Sequence, residues 1–165
     1  MLATKLGPAT QLDLDMAASY KINKSQRLKL VQITGKANYE ELESLFQEYV
    51  RDTEFEPDLR LLVDLRGMTD AIAGLLEIRR LKRLYQIAYQ DAVDVVDVVI
   101  VANSGIAYKA ARAFALFMRD KRPLNIQITS DWADAHKKLG VNNAFTDALI
   151  KAMEMDKFVS LQTPS

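Results

Sequence analysis

Two short apolar runs limit the folds open to this chain. Residues 59–65 read LRLLVDL and residues 95–102 read VVDVVIVA. Both are too short for core-spanning helices, and the second is rich in β-branched side chains. Neither alternates cleanly between apolar and polar, as a strand with one wet face would. Such runs suit strands covered on both faces, the usual condition of a parallel sheet. Residues 71–90 and 104–120 carry helical periodicity between and after them. Strands alternating with helices imply right-handed crossovers and an α/β fold.

The other elements follow by the same rules. AASYKI (17–22) and RLKLVQIT (27–34) read as strands joined by the short polar NKSQ, so an N-terminal hairpin is expected. In the second strand Leu28, Leu30 and Gln32 share one face by the period of two. NYEELESLFQEYVR (38–51) reads as a helix capped by Asn38, with Glu41 at the capping-box spacing. Its apolar stripe is Tyr39, Leu42, Leu45, Phe46 and Tyr49. LNIQIT (124–129) alternates and belongs near a sheet edge. Ser130 or Asp131 caps a short helix that Gly140 stops. A last amphipathic helix covers 143–158, with Phe145, Ala148, Leu149, Ala152 and Met153 on one side. The expected order is β, β, α, β, α, β, α, β, α, α, giving a mixed, mainly parallel sheet.

Composition narrows the function classes. The 165 residues fit one domain and suffice for a core without disulfides or metals. Lys plus Arg and Asp plus Glu both number 22, so the formal net charge is zero. A balanced chain lacks the electrostatic footprint of a nucleic-acid binder. No cysteine is present, which excludes disulfides, thiol catalysis and Cys-based zinc sites. The first residues, MLATKLGPATQLDLD, lack the apolar core of a secretory signal, and Gly7-Pro8 break them into a loose tail. No apolar stretch reaches the ~18 residues of a membrane span. A cytoplasmic protein is expected.

Four motifs in order, YKINKSQRLKLVQITGKANYEELES, FEPDLRLLVDLRGMTD, VVIVANSGIAYKAARAF and ITSDWADAHKKLG, resemble the SpoIIAA-like (STAS-type) family of bacterial proteins. That family is related in fold to anti-sigma-factor antagonists and, more loosely, to CRAL-TRIO lipid-binding domains. The resemblance spans about Ser19 to Gly140 and implies a small, non-enzymatic α/β domain. In signalling members a strand ending in Asp-Leu leads to a helix that begins with a phosphorylated Ser. Here Asp64-Leu65 match the strand end, but the expected helix start reads Ala71-Ile72-Ala73-Gly74, with Thr69 the nearest hydroxyl. A phosphate at a helix N-terminus drives that switch, so its acceptor is missing.

Other chemistry is thinly supported. VANSGIA places neither glycine at nucleophile-elbow spacing around Ser104, and His136 is the only histidine. Asn103 or Ser104 therefore reads as a helix cap, with a weak Ser104 hydrolase kept as a distant alternative. Asp64, Asp70 and Ser104 invite comparison with a phosphate receiver, which also needs a second acid at the acceptor and a Lys after the last strand. QITSD supplies no such Lys. His136 lacks partners for a metal.

The helix 71–90 is more informative. Ala71, Gly74, Ile78, Leu81, Tyr85 and Ala88 form its core stripe, with Arg79, Arg80 and Arg83 opposite. Ile72, Leu76 and Ile87 fall beside those arginines, a mixture typical of interfaces. We therefore expect a tail at 1–16, a SpoIIAA-like domain at 17–140 and a C-terminal helical extension at 141–165. The expected function is a non-catalytic interaction or regulatory module, without cofactor or metal. Ile72, Leu76, Arg79, Arg83 and Ile87 would bind a protein partner, a second copy foremost. The alternative is a carrier of a small apolar ligand or lipid, held near Ser104, Tyr108, Met153 and Phe158, with peripheral membrane contact.

Overall fold

The computed structural model describes residues 17–72, 75–119 and 124–162. The chain runs β1 (Ala17–Asn23), β2 (Leu28–Asn38), α1 (Tyr39–Arg51), β3 (Arg60–Asp64), β4 (Met68–Ile72) and α2 (Leu75–Tyr89). It continues through β5 (Val96–Val101), α3 (Gly105–Met118), β6 (Leu124–Thr129), α4 (Trp132–Leu139) and α5 (Asn143–Gln162). Five strands lie in the order β1-β2-β3-β5-β6. β1 pairs antiparallel with β2, and the other neighbours are parallel. β6 is an edge strand, as its alternation requires.

The two apolar runs are covered on both faces. Leu61, Val63, Val98 and Ile100 join one core with Ile33 of β2, Tyr89 of α2, and Ala107 and Ala111 of α3. Leu62, Val99 and Val101 face the other way, into a core with Leu28, Leu30, Ala135, Leu139 and Met153. Thus α1, α2 and α3 cover one face, and α4 and α5 the other. Fully burying each such side chain stabilises by roughly 1.5–3 kcal/mol.

Caps set the helix ends. Ser104 Oγ accepts the Ala107 N–H at 3.1 Å. Asp131, rather than Ser130, caps α4 by accepting from Ala133 N. Gly140 closes α4 in the left-handed region at φ 65°. Asn38 accepts from Glu40 N at 2.8 Å. α5 continues to Gln162 and turns Phe145, Leu149, Ile150 and Met153 inward. Ala148 and Ala152 are exposed, a correction to the expected stripe.

The main departure from expectation is β4. Residues 71 and 72 end a strand, and α2 begins at Leu75. β2 runs on to Asn38 and pairs in parallel with β4, from Gly35↔Met68 to Asn38↔Ile72. Ala71 therefore lies outside the helical stripe, while Ala73 and Gly74 lie outside the described residues. Ile78, Leu81, Tyr85 and Ala88 are half-buried on α2. Two glycines make the extension: Gly35 takes φ 73° at a register shift, and its N–H bonds to Gly67 O at 2.9 Å. A Cβ on Gly67 would stand 2.6 Å from Thr34 Cγ2. Gly67→Ala should cost ~1–3 kcal/mol in chemical denaturation, through overpacking. Thr34→Ser, which removes that methyl, should recover most of the loss. An undiminished stability in Gly67→Ala would refute the close approach.

Candidate functional site

The C-terminal ends of parallel strands are where such sheets most readily build sites. Asp64 ends β3 and is buried. Arg66 holds it with Nε to Oδ1 at 2.9 Å, Nη2 to Oδ2 at 3.0 Å and its own N–H to Oδ1 at 3.0 Å. Gln32 adds an N–H at 3.4 Å. The same guanidinium lies 3.8 Å from the ring centroid of Trp132, whose indole N–H donates to Asp147 at 3.3 Å. These groups bind one another and tie β3 to α4 and α5. Thr69 and Asp70 are exposed on β4, in strand rather than helix geometry.

Ser104 is half-buried and committed to its cap. His136 belongs to the opposite face, buried between Trp132 O and the Thr146 hydroxyl. The two are not brought together. Tyr108 is exposed on α3, Met153 is buried in the core under α5, and the Phe158 side chain lies outside the described residues. Ser104 and Tyr108 thus stand with the helices of one face and Met153 on the other, so these three described members of the expected ligand set are not brought together. A groove of about 300 Å³ does lie between α3 and β6, lined by Arg112, Leu116, Arg119, Leu124 and Ile126 among others. Among the described residues, no group of three or more His, Asp or Glu could hold a metal.

The three-helix layer carries the other candidate surface. Tyr85 at its centre meets Phe46 of α1 at 4.6 Å and Phe114 of α3 at 5.0 Å between ring centroids. α2 is therefore the middle helix. With its aromatic face turned to the sheet, its outer face carries Leu76 at 59% and Ile87 at 58% exposure, with Arg79, Arg80 and Arg83 also exposed. The Ile72 side chain lies outside the described residues.

Beneath this layer is a group that no sequence motif marks. Lys29, on β2, is fully buried. Its Nζ donates to Glu56 O at 3.3 Å, Pro57 O at 3.4 Å and Tyr89 Oη at 3.1 Å. Its ammonium lies 4.5 Å from the Tyr89 ring centroid, 5.1 Å from Phe55 and 5.7 Å from Tyr49. Tyr49 and Tyr89 share a hydrogen bond at 3.0 Å. Burial pulls the Lys29 amine down to about 7, against the opposing pull of Asp58. Burial also raises Tyr49 and Tyr89, and Tyr85 to about 12. The signal was present: the alternation that sends Leu28 and Leu30 to one face sends Lys29 with Val31 and Ile33 to the other.

No family model matches the chain, and no curated protein matches it in sequence. Among solved structures, an anti-sigma factor antagonist from Mycobacterium paratuberculosis is similar at TM-score 0.50 and 13% identity, over 76% of this chain and 94% of that one. An uncharacterised DUF3478-family protein with a SpoIIAA-like fold from Shewanella loihica PV-4 aligns at TM-score 0.49 and 16% identity, over 75% and 93%. Together with the strand order, the first likeness shows the α/β fold expected from the motifs, that of an anti-sigma factor antagonist. Among the described residues, no helix is long and apolar enough to cross a membrane.

The buried amine predicts a pH profile. Its folded value, about 7, lies below the unfolded 10.5, so across that window the unfolded chain holds the extra proton. Stability should rise with pH there, by at most about 1.4 kcal/mol per unit. Above pH ~10 unfolded tyrosines ionise while Tyr49, Tyr85 and Tyr89 resist, so stability should fall. Denaturant melts of Lys29→Met should lose the rise and keep the alkaline fall. A rise that survives in Lys29→Met would contradict this assignment.

Proposed function

We propose that this chain is a non-catalytic protein-interaction module of regulatory type that docks through the outer face of α2 and self-associates there. The observation that carries the reading is the pair Leu76 and Ile87, each more than half exposed on a helix face shared with Arg79 and Arg83. Leaving such aliphatic groups in water forgoes part of the roughly 1.5–3 kcal/mol that full burial of each would give. An aliphatic patch rimmed by arginines is the composition of an interface. A regulatory protein-interaction role is consistent with the likeness to an anti-sigma factor antagonist, which shares the fold. Fold alone does not fix function, so the helix face bears the weight. In this reading residues 17–140 form the module and 141–165 an extension, of which Phe145, Leu149, Ile150 and Met153 pack on its second face.

A second reading rests on the groove between α3 and β6. Its apolar Leu116, Leu124 and Ile126, flanked by Arg112 and Arg119, suit a small apolar ligand with an anionic end, taken up with peripheral membrane contact.

Native mass spectrometry separates the two. The module should appear as a dimer without a bound small molecule. Leu76→Asp should give a monomer with an unchanged circular dichroism spectrum. A monomeric wild type that retains an apolar ligand would favour the carrier. An unfolded Leu76→Asp protein would show that Leu76 belongs to the core.

A further inference from the structure

The outer helix layer is divided by charge. α1 carries four glutamates against the single Arg51, whereas α2 carries three arginines and a lysine against Glu77. On their exposed faces α1 presents Glu40, Ser44 and Glu48, and α2 presents Arg80, Arg83 and Ile87. Among the described residues no ion pair joins the two helices. A net-neutral chain thus displays adjacent acidic and basic ridges.

Their relative height is fixed. Both helices cross between parallel strands, so they run in the same direction. Phe46 packs against Tyr85, and one turn on the Tyr49 hydroxyl meets that of Tyr89. Continuing that register places Glu40 level with Arg80, Ser44 with Arg83 and Glu48 with Ile87.

We propose that two copies pair face to face about a two-fold axis lying in the groove between α1 and α2 and parallel to both. This rests on the self-association reading above and names its geometry. Such an axis leaves heights unchanged and exchanges the two helices, so α1 of each copy lies on α2 of the other. Glu40 then meets Arg80 of the second copy, and Glu48 lies within a turn of its Arg83, with each contact made twice. An in-plane axis across the helices would set acid on acid and base on base. The charge pattern therefore selects one of the two arrangements, which is what complementary charges do best at interfaces. The pairing should weaken with added salt, because these groups are exposed.

Charge reversal followed by sedimentation velocity tests the geometry. Glu40→Lys/Glu48→Lys and Arg80→Glu/Arg83→Glu should each be folded and monomeric alone. Their equimolar mixture should dimerise, since both contacts become complementary. The variant carrying all four changes should dimerise by itself. If Glu40→Lys disturbs the helix start, Glu48→Lys with Arg83→Glu repeats the exchange. A monomeric four-fold variant beside a dimeric wild type would overturn this axis. Dimerisation indifferent to every reversal would overturn the charge pairing and leave self-association standing. A monomeric wild type would overturn both.

Discussion

Lys29 is the constraint on which the helix layer depends. An ammonium has three N–H donors, and its surroundings supply three acceptors: the carbonyls of Glu56 and Pro57 and the Tyr89 hydroxyl. These come from the α1–β3 connection and the last turn of α2, while Lys29 itself sits on β2. One side chain therefore gathers three parts of the chain at one point. The arrangement also tolerates loss of a proton, because Tyr89 can turn its O–H toward the amine and accept in turn from Tyr49. Burying a cation costs more than burying a hydrocarbon of its size. What it gives in return is a fixed register: Tyr49 and Tyr89 must both close over it, so α1 and α2 are held at one relative height.

That register turns a neutral, ordinary composition into a patterned surface. Summed over the chain, the charges cancel; resolved by helix, they do not. α1 is acidic outside and aromatic inside, and α2 is basic outside and aromatic inside. The aromatic inner faces fix the position of each ridge, and the outer faces supply the sign. On the opposite end of the sheet, Asp64, Arg66 and Trp132 are occupied with one another. Nearby, Thr69 lies in β4, and α2 begins six residues later.

The parts of the fold legible in sequence were those with a local cause. β3 and β5 announced themselves because burial on both faces demands unbroken apolar runs. A cap at Asn103 or Ser104 and the stop at Gly140 were legible because a cap and a left-handed stop each have a short list of suitable residues; the structure gives the cap to Ser104. β4 was not, since MTDAI lacks alternation and its strand state depends on Gly67 meeting Thr34, more than thirty residues away. Helical period placed Leu76, Arg79, Arg83 and Ile87 on one face of α2, but it wrongly extended that face to Ile72, which ends β4. Lys29 could have been read by extending the same alternation argument to the second face of β2, but the aromatic groups that surround it come from distant segments. The acidic ridge of α1 gains meaning only once the structure sets it beside α2.

Because the chain has no cysteine of its own, introduced thiols report on the docking geometry without interference. Ser44 and Arg83 stand level on adjacent helices, and the exchange of α1 and α2 between copies brings Ser44 of each over Arg83 of the other. Mild oxidation of an equimolar mixture of Ser44→Cys and Arg83→Cys should yield a covalent dimer joined between positions 44 and 83, faster than either variant alone links to itself. Dimers joined only 44 to 44 or 83 to 83, or no covalent dimer at any concentration, would contradict the account.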